Sequence, residues 1–231
     1  LKRVYKTVSI RRIDGAGYEI LLDKKPIKTP KGREFVIATE RLANAIAREW
    51  DDQAVEIEAE KMPLTRLTSI TQDWTAEDSE AAIPALLEFL KTDLLCYRAT
   101  EPQELVSLQS HRYDPLLDWF EERFGQSMLV VHGVMPASQP DEVIEAVGAQ
   151  LRAKPIEELM VLQIAAPLTS SLIVPLALAE GRITGLEAYE IACLDDLYQI
   201  RKWGRDKEAV SRLEVIKAEL KALQGYLFLV E

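Results

Sequence analysis

The sequence predicts an α+β protein, with a small β-rich N-terminal domain over residues 1–75 and a mainly α-helical C-terminal domain over residues 76–231. Three observations carry this expectation. Up to position 38 apolar and polar residues alternate between turn residues; at Thr39 the period changes from two to 3.6; and helical stripes with capping residues then run nearly to the end. With 231 residues, 48% hydrophobic and 29% charged, the chain can bury a sizeable core without a disulfide or metal staple.

Residues 4–10 read as a first strand, Asp14-Gly15-Ala16-Gly17 as a hairpin turn and residues 18–22 as the returning strand. Asp23-Lys24-Lys25-Pro26 turns again, and residues 34–37 give a further short strand. Thr39 caps a helix whose stripe is Leu42, Ala43, Ile46, Ala47 and Trp50. Helices follow over 64–74 behind Met62-Pro63, over 83–97 with Pro84 in the first turn, and from Pro115 to Phe124 with a stop at Gly125. Residues 128–134 read as a short strand or an extended link. Asp141 caps a helix to Arg152, Pro155 opens one through Ala166, and residues 169–179 form another that ends at Gly181. Thr184-Gly185-Leu186-Glu187 is a capping box, followed by Leu186, Tyr189, Cys193, Leu197 and Ile200 on one stripe up to Trp203-Gly204. A last helix carries Ala209, Leu213, Ile216, Leu220 and Leu223 on one face.

Charge is unevenly distributed. Residues 1–33 carry ten Lys/Arg against three Asp/Glu, residues 34–200 eleven against thirty, and the remainder seven against five, so a basic start precedes a long acidic middle in a chain of net charge −10. Sequence-independent nucleic-acid binding needs clustered cations, so no nucleic-acid partner is expected. The basic start reads as a solvated sheet face, with a local docking surface as the alternative. The longest apolar stretch, residues 171–179, is half of what spans a bilayer, and no membrane insertion or secretory signal is expected.

Only His111, His132, Cys96 and Cys193 are available for the common zinc sites, and they are scattered, so neither a metal nor a cofactor is expected. Both cysteines sit among apolar neighbours and read as buried thiols of a reducing compartment. No nucleophile elbow or phosphate loop is present, and Gly15-Ala16-Gly17 leads into a strand rather than a helix. The carboxylate pairs Asp51-Asp52, Glu121-Glu122, Glu157-Glu158 and Asp195-Asp196 read as solvated helix surface, because adjacent helical residues point about 100° apart. Asp195 is the exception: it lies beside an apolar stripe, one turn before Gln199, with Trp203 a further turn on. That seam is either a satisfied core network or part of a recognition face. Binding therefore outranks catalysis, with Trp50, Trp74, Trp119 and Trp203 as candidate anchors, each expected first as core. An acid/base enzyme working near Asp195, or an acidic adaptor for some other client, are the alternatives.

Six short sequence words carry a family resemblance: Tyr5-Lys6-Thr7-Val8; Leu22-Asp23-Lys24-Lys25-Pro26-Ile27-Lys28-Thr29-Pro30; Ile46-Ala47-Arg48-Glu49-Trp50-Asp51-Asp52-Gln53; Met62-Pro63-Leu64-Thr65; Thr92-Asp93-Leu94-Leu95-Cys96-Tyr97-Arg98; and Gln199-Ile200-Arg201-Lys202-Trp203-Gly204. In this order they resemble the assembly chaperones that bind the α subunit of the F-type ATP synthase catalytic head. The chain departs from the family pattern by Tyr113-Asp114-Pro115 where Trp-Asp-Pro is usual, and by Arg205-Asp206-Lys207-Glu208 after the final word, where Asp206 and Glu208 are the available acids. The resemblance implies a stoichiometric chaperone rather than an enzyme, with the free α subunit as partner. On this resemblance Trp203 and Gly204 are expected to shape a corner between the last two helices, with Asp206 or Glu208 presenting charge to the client, and the seam residues Asp195 and Gln199 read above are expected to take part in binding. Relatives implied by the resemblance occur in bacteria and in mitochondria; the bacterial look of the variable segments favours the bacterial cytoplasm, with the mitochondrial matrix as the expectation for a eukaryote.

Overall fold

The alternating stretch before residue 38 folds as an antiparallel sheet in the computed structural model, which describes residues 2–133, 138–204 and 206–231. β1 (Val8–Ile13) and β2 (Gly17–Leu22) pair from Val8↔Leu22 to Ile13↔Gly17, and β3 (Lys25–Pro26) and β4 (Val36–Ile37) also pair with β2. The first strand begins later than its alternation suggests. Asp23 accepts the N–H groups of Lys6 and Thr7 at 3.0 and 2.9 Å, and the Arg3 N–H donates to the Val55 carbonyl at 3.0 Å, so this stretch has other partners before the ladder starts.

α1 (Glu40–Asp51) starts where the period changes, with the Thr39 hydroxyl accepting the Leu42 N–H at 3.2 Å. Its Leu42, Ala43 and Ile46 are buried, as are Ile20 and Ile37 of the sheet on which it packs. Each large aliphatic residue so buried contributes about 1.5–3 kcal/mol. α2 (Pro63–Asp73) opens on a proline, which has no N–H to leave unpaired there. These elements and residues 225–231 make one compact unit, in which Thr71 and Tyr226 share a hydroxyl hydrogen bond of 2.9 Å.

The second unit, residues 76–224, is helical. α3 (Ala76–Lys91), α4 (Gln103–Phe124), α5 (Asp141–Arg152), α6 (Ile156–Thr169), α7 (Ile173–Ala179), α8 (Gly185–Ala192) and α9 (Leu194–Trp203) precede α10 (Lys207–Val230), whose last turns belong to the first unit. Between α3 and α5, β5 (Tyr97–Arg98) pairs in parallel with β6 (Val131–His132); Val134 of the expected strand lies outside the described residues.

Prolines misplace two helix starts in the sequence reading. Pro84 and Pro115 lie inside α3 and α4 rather than in their first turns. The carbonyls they deprive belong to Glu80 and His111, both exposed residues, so the missing donor is not lost in a buried setting. The single helix expected after the capping box is two, because Cys193 leaves helical dihedrals with φ −105° and ψ 18°, a break that periodicity cannot register. The box itself forms: Thr184 and Glu187 satisfy each other's main chain. Gly185 begins α8 against α10, where a Cβ would stand 2.5 Å from the Leu220 carbonyl oxygen, so only glycine permits the crossing.

α6 and α7 form the centre of this unit, and α7 is buried along nearly its whole length. Their corner is held by one buried carboxylate. Asp93 accepts the N–H groups of Leu95, Leu172 and Ile173 at 3.1, 2.8 and 3.0 Å and the Ser171 hydroxyl at 2.8 Å. Burial pushes its pKa up to about 6 against the pull of those donors.

Replacing Asp93 by Ala leaves several buried donors without an acceptor, and we expect a loss of about 3–5 kcal/mol in urea unfolding. A raised carboxylate pKa means the folded state holds its proton more tightly than the unfolded chain. The advantage of the wild type over Asp93→Ala should therefore grow as pH falls from about 6 toward the unfolded value near 4, and be smallest above neutrality. Titrating both proteins in parallel cancels the other carboxylates.

Candidate functional site

Most of the family-like words bond to one another inside the fold. The Tyr5 hydroxyl donates to the Trp50 carbonyl at 2.6 Å, with the rings edge-on at 5.8 Å. Glu49 accepts the N–H groups of Leu64 and Thr65 at 2.7 and 2.8 Å, and so caps the start of α2. Thr29 donates its hydroxyl to Asp73 at 2.6 Å. In the helical unit, Arg98 is buried, donates to the Leu95 carbonyl at 2.8 Å, pairs with Asp114 at 2.7 Å and lies 5.1 Å from the centre of the Tyr113 ring. The word at Thr92–Arg98 and the Tyr-Asp-Pro word thus meet in one cluster. These residues carry architecture.

The word at 199–204 differs. Trp203, expected first as core, is 77% exposed, whereas Trp50, Trp74 and Trp119 are each half-buried. It is the last residue of α9, and Gly204 turns the chain with φ 98° and ψ 174°, a region essentially confined to glycine. Beyond it Asp206 accepts the Ala209 N–H at 3.2 Å and its carbonyl takes the Val210 N–H at 3.0 Å, so this acid caps α10. Asp206, Glu208 and Gln199 are all exposed. Five of the six expected binding residues therefore share the surface of one helix corner.

Asp195 is the sixth, and it is turned elsewhere. Its carboxylate accepts from Gln109 Nε2 at 2.9 Å, while Gln109 Oε1 accepts the Ala99 N–H at 2.8 Å, and Gln109 is buried. The seam seen in the sequence is a satisfied network at its Asp195 end and free surface at its Trp203 end. One residue that steadies the corner carries no sequence signal, because it comes from α4, some ninety positions away. Glu104 accepts from Lys202 at 3.0 Å and from the Tyr198 hydroxyl at 3.2 Å. The Lys202 ammonium holds the Glu104 carboxyl below its usual range, and Glu104 in turn holds Lys202 up. Arg212 of α10 pairs with Asp196 of α9 at 2.9 Å across the corner.

Little here suits catalysis. Burial pushes the Cys96 thiol up to about 12 and the Cys193 thiol up to about 11, so neither supplies a thiolate near neutrality. An open cleft of about 280 Å³ between α4, α8 and α9 is lined by Leu108, Arg112, Leu194, Leu197 and Arg201 among others, but not by Asp195 or Gln199. Among the described residues no cluster of His, Cys, Asp and Glu is arranged to hold a metal ion, and no helix is long and apolar enough to cross a membrane.

Comparison with known proteins gives a consistent answer. A sequence model of the ATP12 chaperone protein family matches residues 2–121. Protein atp12, mitochondrial, of Schizosaccharomyces pombe is 24% identical over 220 residues, covering 90% of this chain and 75% of the relative. The crystal structure of Atp12 from Paracoccus denitrificans superposes with a TM-score of 0.91 at 32% identity, covering 100% of this chain and 98% of that one. A protein of Agrobacterium tumefaciens gives a TM-score of 0.90 at 37% identity, covering 100% and 86%. The chain belongs to the ATP12 chaperone family, the assembly chaperones of the ATP synthase.

Proposed function

We propose that this chaperone binds the free α subunit of the F-type ATP synthase and covers the surface that α later gives to β, without chemistry of its own. The observation that carries the reading is Trp203, an indole 77% exposed at a corner that ion pairs and a helix cap hold in shape. A large aromatic ring open to water offers much apolar area to bury and only two side-chain torsions to fix on binding, which is the character of an interface hot spot. Asp206, Glu208 and Gln199 give it a polar rim, and Asp195 acts behind it by fixing α9 to α4 through Gln109. Such a surface suits a temporary cap. Its affinity comes from one anchor and exposed charges, so a larger and more apolar β interface can displace it. The bacterial cytoplasm, or the mitochondrial matrix for a eukaryotic relative, is where such a client would be met.

Purified protein mixed with isolated subunits should retain α in solution at equimolar ratio and leave β alone. Trp203→Ala should weaken α binding at least tenfold while shifting the unfolding free energy by less than about 0.5 kcal/mol, because the ring is exposed. Unchanged α binding by this variant would remove the corner from the interface. Gly204→Ala should instead lose about 1–3 kcal/mol of stability, read from urea unfolding, since alanine is strained at φ 98° and ψ 174°. For the acids, Asp206→Asn keeps a helix cap and removes the charge. A loss of α binding in that variant together with Glu208→Gln, at unchanged stability, assigns the effect to charge.

A further inference from the structure

β1 is the edge of its sheet: among the described residues its only strand partner is β2. The direction of its main chain follows from one bond. The Asp23 N–H donates to the Thr7 carbonyl at 3.0 Å, and hydrogen-bonded pairs in an antiparallel ladder recur every second residue. Ser9, Arg11 and Ile13 therefore turn their N–H and C=O groups to β2, and Val8, Ile10 and Arg12 turn theirs outward. No described hydrogen bond takes up these outward groups.

Side chains along this edge set what it accepts. Just before β1, Val4 is 88% exposed, and Arg3 pairs with Val55, itself 76% exposed. Lys6, Arg11 and Arg12 are exposed; Arg11 is paired with Glu19, while Arg12 has no ion pair among the described residues. The segment up to residue 33 carries ten cations against three anions. A second copy laid antiparallel on this edge would oppose cation to cation, the usual device that keeps natural edges from self-pairing. The same charges favour a different occupant.

We propose that the outer edge of β1 is a strand-addition site for an extended acidic segment of a partner polypeptide. That segment pairs with the main chain of Val8, Ile10 and Arg12 and sets carboxylates against Arg12 and Lys6. Main-chain bonds supply the attachment and the cations supply the preference. This surface lies within the first unit and does not rest on the identity of the client proposed above.

The test uses the full chain with two ten-residue probe peptides, one alternating threonine with glutamate and the other threonine with lysine. Fluorescence anisotropy at low salt reads binding, and residue-resolved amide exchange reads its place. The acidic peptide should bind at least tenfold more tightly than the basic one. It should also slow exchange at Val8, Ile10 and Arg12 at least tenfold, while Ser9 and Arg11, already in the ladder, change little. Arg12→Glu, an exposed substitution expected to leave the fold intact, should cut acidic-peptide affinity at least fivefold. Equal binding of both peptides, or unchanged exchange at those three amides, overturns the proposal. Protection that rises with protein concentration alone also overturns it, by showing a second copy on the edge.

Discussion

A carboxylate that accepts main-chain N–H groups where the chain changes direction is the interaction on which both units depend. Asp93 does this at the α6–α7 corner, Glu49 at the start of α2, and Asp23 before β1. Each meets donors that helix or strand geometry leaves unpaired, and a single acidic side chain can satisfy two or three of them at once. This matters most for Asp93. It is fully buried, and its carboxylate takes both the Leu172 and the Ile173 N–H groups.

With its polar words spent in this way, the fold leaves one of them over. Trp203 and the acids beyond it are not needed to close a core, and the interactions around them position the corner instead of burying it. On the function proposed above, the small size of this corner limits how much must be given up when the final partner arrives.

Several parts of this arrangement are legible in the sequence for identifiable reasons. The change of period at Thr39, the capping box at Thr184 and the glycine stop at Gly125 are local signals with local causes, and all three form. The interior prolines are not legible, because whether Pro84 and Pro115 start a helix or sit inside one depends on which carbonyls face water. The break at Cys193 is hidden because a one-residue departure preserves the spacing of the stripe. At the corner, Trp203 reads as core from its aliphatic neighbours, since periodicity marks a face but not what covers it. Gln109 and Glu104, which decide where Asp195 and Lys202 point, come from a helix far away in sequence.

Trp203 is its own reporter, and iodide quenching of tryptophan fluorescence tests the central claim most directly. The difference between wild type and Trp203→Phe isolates the signal of this one ring, followed while isolated α subunit is added. The account predicts that the quenchable fraction of Trp203 falls in step with complex formation and returns when β is supplied. A ring that stays fully open to iodide while α is demonstrably bound would contradict it.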